Sequence, residues 1–154
     1  MIFSAPDPAA DPHVVAMVLA LQRASYAVEA QLIGDDRIPP LADDEHAISA
    51  WRGRWGVAWD GTDLVGAIAW ADHDDHLDLH RVMVSPSAMR QGIASDLLRR
   101  VLHARPGRRV VVTTGRDNAP GVSFYAKHGF APVGEEHVPP GIWVTRLELD
   151  RGRS

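Results

Sequence analysis

Residues 78–95 read DLHRVMVSPSAMRQGIAS. The stretch begins as a largely apolar strand ending at Val84, breaks at Ser85-Pro86, and passes through a short polar segment into Gly92-Ile93-Ala94 and the helical run DLLRRVLHA. A strand, a tight turn and a helix start in that order can form an anion cradle. The first-turn N–H groups of a helix lack partners and carry a partial positive charge, so a diphosphate can dock there without a cationic side chain. Gly92 admits close approach of an anion to the backbone, and Ala94 keeps the next turn slim. Taken alone, the pattern is also a plain strand-turn-helix connection, and it needs a second motif.

That motif is residues 118–130, NAPGVSFYAKHGF. Together the two segments resemble the GNAT superfamily of acyl-CoA N-acyltransferases. The first signature, V-x-P-x-x-[R/Q]-x-x-G-x-[G/A], is met by Val84, Pro86, Gly92 and Ala94. The second, N-x-x-[A/G]-x-x-F-Y-x-x-x-G-F, is met by Asn118, Gly121, Phe124, Tyr125, Gly129 and Phe130. Met89 stands where the first signature has Arg or Gln, followed by Arg90 and Gln91. The cradle works mainly through main-chain amides, so the match survives, and Arg90 or Gln91 is placed to supply the missing side-chain contact. The resemblance covers the C-terminal half well. It implies an α/β (α+β) fold, residues 1–154 forming one N-acetyltransferase domain. Its mixed, mostly antiparallel sheet of six to seven strands has a V-shaped splay and about four flanking helices.

The same resemblance implies transfer of an acetyl group from acetyl-CoA directly to a primary amine of a small molecule or peptide. The acyl-pantetheine would lie in the gap between the strand ending at Val84 and the strand at Val110 to Thr113. Cofactor contacts fall on Val82, Met83, Val84, Met89, Arg90, Gln91, Gly92, Ile93, Ala94, Ser95, Asn118 and Tyr125. Backbone N–H groups of Met83 or Val84 would hold the thioester oxygen or the pantetheine amides. Tyr125 matches the family tyrosine that gives a proton to the leaving sulfur. A phenol is neutral at pH 7, carries an O–H donor, and is close to a thiol in acidity. The plain alternative is a core tyrosine packed beneath the cofactor.

For the base, strand alternation places Asp78, His80, Val82 and Val84 on one face. Asp78 stands where some family members carry a glutamate that takes the amine proton through water, and His80 has an ordinary pKa nearer neutrality. Many members need no dedicated base. In the family the first helix, the loop after it and the loop before the last strand wall the acceptor side. Here these supply Tyr26 and Glu29, neighbours on one helix face, then the acidic stretch Asp35 to Glu45, and Glu135-Glu136-His137. Such a wall would draw a cationic amine; a solvated loop is the plainer reading. Two other classes stay open: a non-catalytic acyl-CoA binding or sensing module, and a structural domain in which Met89 marks a lost cofactor site.

Composition narrows the setting. The chain has no cysteine, so disulfide and thiol chemistry are excluded. The N-terminal MIFSAPDPAADPH has no basic region ahead of an apolar one, so no secretory signal is expected. The longest apolar run, Val14 to Leu21, is eight residues and too short to span a bilayer. A cytoplasmic protein without a membrane partner is expected, and a homodimer is left open. Net charge is −4, but residues 1–77 hold four basic residues against thirteen acidic, and residues 78–154 twelve against seven. The basic half carries the cradle, as an anionic cofactor requires. A net negative chain with no basic stripe interleaved with aromatics is not expected to bind nucleic acid. His73, His76 and His80 sit in and beside a D-H-D-D-H turn that reads as a solvated hairpin, so no metal is expected.

Elements follow in order. Asp11 and Pro12 cap and open a helix with Val14, Val18, Leu21, Val28 and Leu32 on one stripe, closed by Gly34. A short helix through Ile48 and Trp51 comes after a Pro-rich acidic loop. WGVAWDGTDLVGAIAW is a hairpin turning at Asp60-Gly61. RRVVVTT is a buried strand, and Asp117 or Asn118 caps the helix bearing Tyr125. Trp143 to Leu149 alternates as a last strand, reached through GEEHVPPG as a loop.

Overall fold

The computed structural model describes residues 1–151. Among them, seven strands are β1 (Ile2–Ser4), β2 (Arg54–Asp60), β3 (Asp63–Asp72), β4 (His76–Val84), β5 (Arg109–Gly115), β6 (Ala131–Val138) and β7 (Ile142–Leu149). They form one sheet in the order β1-β2-β3-β4-β5-β7-β6. The four helices are α1 (Pro12–Ile33), α2 (Glu45–Ala50), α3 (Ile93–Ala104) and α4 (Ala119–Lys127). This is the mixed, mostly antiparallel sheet with flanking helices that the resemblance implied.

Every neighbouring strand pair is antiparallel except β4 with β5. That parallel pair holds only from His76↔Arg109 to Leu79↔Val112. Beyond it β4 runs on to Val84 along β3, and β5 runs on to Gly115 along β7. With hydrogen bonds pulling each strand to its outer neighbour and none between them, the two strands part into a V. Their inner edges carry unpaired backbone groups that need a partner.

One core packs α3 and α4 on the sheet through Ile93, Leu97, Leu98, Val101, Tyr125 and Phe130; the other packs α1 and α2 on the opposite face around Val18, Ile48, Trp55 and Met83. Each fully buried aliphatic side chain contributes roughly 1.5–3 kcal/mol. α1 begins where the Asp11 carboxylate accepts from the His13 and Val14 N–H groups at 3.0 and 3.4 Å, and it ends at Gly34, whose φ of 70° suits a residue without a side chain. Its buried face holds Val14, Val15, Val18, Leu19, Leu21 and Gln22, whereas Leu32, expected on the apolar stripe, is 50% exposed because the last turn stands over the cleft described below.

Two expectations need correction. GEEHVPPG is not a loop: most of it belongs to β6, an edge strand paired with β7 and exposed along nearly its whole length. A strand open on both faces needs no apolar alternation, so the pattern that reveals other strands is absent. Second, β4 is not a regular strand. Ala69 faces Arg81 while Trp70 faces Leu79, which leaves a bulge at His80. Leu77 and Leu79 lie in the α3 core before the bulge, Val82 and Val84 pack on that same core after it, and Met83 lies in the α1 core. Asp78 therefore points to the face opposite Val82 and Val84.

Candidate active site

The V between β4 and β5 opens into a cavity of about 670 Å³. Leu79, Val82, Val84, Val112 and Thr114 line it from the strands, Tyr26 and Glu29 from α1, Gly92 to Ser95 from the start of α3, and Phe124 and Tyr125 from α4. Main-chain direction along β4 follows from one hydrogen bond. Ser85 N–H donates to the Val65 carbonyl on β3 at 2.8 Å, and N–H groups alternate along a strand. Met83 thus also faces β3, and the Val82 and Val84 amides face the gap. Of the two amides expected to serve there, Val84 faces the gap and Met83 faces β3; the Met83 side chain is fully buried in the α1 core.

The mouth of the cavity is the start of α3. Gly92 caps this helix with φ 80°, and no side chain caps the first turn, whereas Asp11, Asp44 and Asn118 cap α1, α2 and α4. The N–H groups of Ile93, Ala94 and Ser95 are left for an incoming acceptor. A Cβ built on Gly92 meets nothing within 4 Å. Glycine is therefore present for its left-handed backbone, and the space beside it is open. Arg90, at φ 65°, holds a left-handed conformation that a side chain disfavours, and it lines the cavity together with Met89 and Lys127. Met89 is 41% exposed. Gln91 does not line the cavity.

Three of the expected contacts are tied internally. Ser95 Oγ lies 2.9 Å from His128 Nε2, joining α3 to α4. Asn118 Nδ2 donates to Glu29 Oε1 at 2.9 Å and to Thr114 Oγ1 at 3.2 Å, while its Oδ1 accepts from the Gly121 N–H at 3.1 Å. Glu29 Oε1 also accepts from Thr114 Oγ1 at 3.2 Å and the Gly115 N–H at 3.3 Å. One carboxylate oxygen thus pins α1 to the end of β5 and to the α4 cap, and it fixes the roof of the cavity.

Tyr125 is only 7% exposed. Burial first, then the nearby Tyr26 hydroxyl and Glu29 carboxylate, push its phenol well above the ordinary value of 10. Tyr26 is raised as well, chiefly by burial and against the pull of the Arg81 charge. Both hydroxyls keep their protons at any physiological pH. His80 stacks on Trp51 with ring centroids 4.3 Å apart and planes 10° apart. Burial, with help from the Arg81 charge, lowers its pKa from 6.5 to about 4, so the imidazole is neutral at pH 7. His80 lines the cavity, and Asp78, paired with Val111 where β4 and β5 still touch, does not.

Sequence reasoning missed Arg81. The bulge turns it toward α1, where it lines the cavity beneath Tyr26, with its guanidinium 6.0 Å from the ring centroid. Its Nη1 donates to the His80 carbonyl at 2.8 Å and its Nη2 to Asp43 at 3.3 Å, while its Nε is buried without a partner. Gln22 joins the same group by donating to Asp43 at 2.8 Å. No sequence signal marks a bulge, and an arginine in an alternating strand reads as solvent-facing. The acidic wall is largely spent elsewhere. Asp35 pairs with Arg37, whose hydrogen bonds hold its carboxyl down at about 2, and Glu135 lies 3.5 Å from Arg116. Of the acidic residues named for the acceptor, only Glu29 lines the cavity.

A parallel strand pair that separates, an uncapped glycine-led helix at the mouth and two protonated phenols within suit a long ligand with an anionic end. Residues 51–132, just over half of the chain and including both motifs, match the family described as an acetyltransferase (GNAT) domain. The UPF0157 protein YqkA of Bacillus subtilis is 32% identical over 133 residues, covering 86% of this chain and 39% of that protein. The chain thus spans about two fifths of that relative's length. The ribosomal-protein-S18-alanine N-acetyltransferase from Escherichia coli superposes with a TM-score of 0.75 at 13% identity, covering 99% of this chain and 96% of that one. An aminoglycoside 6'-N-acetyltransferase complexed with coenzyme A superposes at 0.74 with 17% identity, covering 100% and 99%. At such identities the two structures speak for the fold alone, but the matched domain and the fold agree: the chain belongs to the GNAT acetyltransferase family.

Proposed function

We propose that this protein is an N-acetyltransferase that moves an acetyl group from acetyl-CoA directly to a primary amine of a small molecule or peptide. The observation that carries the reading is the parting of β4 from β5 beyond Leu79 and Val112, with the uncapped start of α3 at its mouth. The residues fit the cofactor. First-turn N–H groups of Ile93, Ala94 and Ser95 would hold the diphosphate. Arg90 and Lys127 would add charge where Met89 adds none, and the inward Val84 amide would hold the pantetheine arm, the Val82 N–H being directed at the Tyr26 hydroxyl. When bound, acetyl-CoA supplies an activated acyl group and a thiolate leaving group.

The chain's own part is to orient and to manage protons. Tyr125 is the general acid. Its raised pKa guarantees an O–H donor, and it makes complete transfer to a thiolate uphill, so the hydroxyl acts mainly by a hydrogen bond that strengthens as negative charge develops on sulfur. His80 is the better placed of the two basic candidates. As a neutral ring it accepts a hydrogen bond from an amine N–H. With a pKa of about 4 it does not store the amine proton, which leaves to solvent. Tyr26 and Glu29 wall the side from which the amine arrives.

The test is a thiol-release assay on an amine panel, which is clean because the protein has no cysteine of its own. Tyr125→Phe is expected to lower kcat by about 10²–10⁴-fold, the usual contribution of a positioned acid, with CoA binding unchanged. Equal turnover by the variant would remove Tyr125 from the mechanism. CoA binding with no turnover on any amine would favour the sensing module instead.

A further inference from the structure

Consecutive side chains of a regular strand point to opposite faces, but at the β4 bulge His80 and Arg81 share one. The register slips between Ala69 and Trp70 of β3. The His80 ring then stacks on Trp51, the residue that ends α2, and the Arg81 guanidinium lies 6.0 Å from the Tyr26 ring centroid on α1. Both residues line the cleft. Bulges re-aim side chains beside active sites, and this one sets a neutral imidazole next to a fixed positive charge. Arg81 is anchored from outside the cleft. Asp43, which does not line the cleft, accepts from its Nη2 at 3.3 Å through the same oxygen that Gln22 fastens at 2.8 Å, and the His80 carbonyl accepts from its Nη1 at 2.8 Å. A guanidinium has five N–H groups. With the Nε–H buried out of reach, one N–H on each terminal nitrogen is left without a partner among the described residues. Charge is also ordered along the cleft. Glu29 acts on both Tyr26 and Tyr125, whereas Arg81 acts on Tyr26 and not on Tyr125. The carboxylate therefore stands at the acetyl-transfer end and the cation beyond Tyr26.

Resting on the acetyltransferase reading above, we propose that the acceptor is a free amino acid, whose carboxylate is bound by the terminal nitrogens of Arg81 while His80 receives its amine. An α-amino acid carries amine and carboxylate on one carbon, so two adjacent side chains can serve both. The transfer is the one already described: the neutral amine bonds to the acetyl carbon, the carbon–sulfur bond breaks, and one amine proton leaves to solvent as the thiolate departs against the Tyr125 hydroxyl. The chemistry selects this class over others. A polyamine would meet the Arg81 charge, and the acidic stretch that would have drawn it is paired elsewhere. A phosphorylated amine would call for more than one cation. A peptide N-terminus has no carboxylate beside its amine and would leave Arg81 unserved. The planar guanidinium matches a carboxylate in a way that a lysine would not.

The probes are free L-amino acids and their α-carboxamides, the latter standing in for a peptide N-terminus. Each is assayed for CoA release with acetyl-CoA, and each is titrated by calorimetry into the full chain saturated with free CoA. At least one free acid is expected to exceed its carboxamide about tenfold or more in kcat/KM and in affinity, the worth of a charge-assisted contact. Arg81→Gln should remove that preference through KM with kcat little changed, and Arg81→Lys, which keeps the charge but not the fork, should retain part of it. The comparison of acid with carboxamide needs no variant, so it decides even where Arg81→Gln does not fold. Turnover of carboxamides, peptides or polyamines but of no free acid would overturn the proposal and leave the acetyltransferase reading standing. Saturable binding of a free acid, lost in Arg81→Gln, with no CoA release from any amine would keep the Arg81 carboxylate site and overturn the acetyl-transfer reading. Neither binding nor turnover of any free acid, or a preference for the acid that Arg81→Gln leaves intact, would overturn the proposal.

Discussion

His80 shows how a single side chain is set by its surroundings. A free imidazole titrates near 6.5; here burial against Trp51 and the adjacent Arg81 charge bring it to about 4. Between those values the unfolded chain binds a proton that the folded chain refuses, so stability is full above pH 6.5 and falls as the pH drops toward 4. After allowance for the solvent-reached part of the ring, the loss is about 1–2 kcal/mol. Urea unfolding at pH 7 and pH 4.5 should therefore show a smaller acid loss in His80→Phe, which keeps the stack and removes the titration, than in the wild type. Parallel losses in the two proteins would mean that the ring is not held neutral. The sequence discloses His80 as a candidate but not its pKa, because Trp51 and Arg81 reach it only through the fold and the β4 bulge. The places of Tyr125 and Gly92 at the cavity were legible for the opposite reason: they follow from spacing within a short segment, a local property.

Among the elements, α3 is the one on which the cleft depends. It can sit close to the sheet because Gly66 lies beneath it: a Cβ there would come 2.6 Å from Ile93 Cγ2 and 3.2 Å from Leu97 Cδ1. Both neighbours are buried and cannot swing away. Gly66→Ala is therefore expected to cost about 1–3 kcal/mol by overpacking and to displace the first turn of the helix, lowering CoA affinity in calorimetry along with the denaturation midpoint. Unchanged values in both would show that α3 has slack. At its far end, Arg151 donates to the carbonyls of Leu102, Arg105 and Arg108 and so serves the C-terminus of the helix. The sequence predicts α3 from the helical run that follows Gly92, yet neither of these fastenings, since each joins residues far apart in the chain. β6 is a different kind of miss. Its Pro, Gly and Glu residues have poor strand propensity, and pairing with β7 alone makes it a strand.

Over the whole molecule, the two halves divide the labour that their charges suggest. The acidic first half contributes α1 and the β1–β3 side of the sheet, and the basic second half contributes the cradle and β5. The acidic stretch Asp35 to Glu45 did not become a wall of the cleft, because Arg37 and Arg81 take up Asp35 and Asp43. Sequence charge counts residues but not their partners. The V itself was readable only through the resemblance, for no residue encodes a parting of strands; it arises when β3 and β7 claim the outer edges of β4 and β5. Among the described residues no helix is long and apolar enough to cross a membrane. Acetyl-CoA and free CoA should be titrated calorimetrically into the wild type and into Gly92→Glu, which sets a carboxylate at the mouth of the cleft and forces a side chain onto a left-handed backbone. Saturable 1:1 binding of both ligands to the wild type is expected, and its loss in the variant, whose thermal unfolding should stay cooperative. Absence of binding by the wild type, or equal binding by a folded variant, would contradict the assignment of the V and its glycine-led helix as the acyl-CoA site.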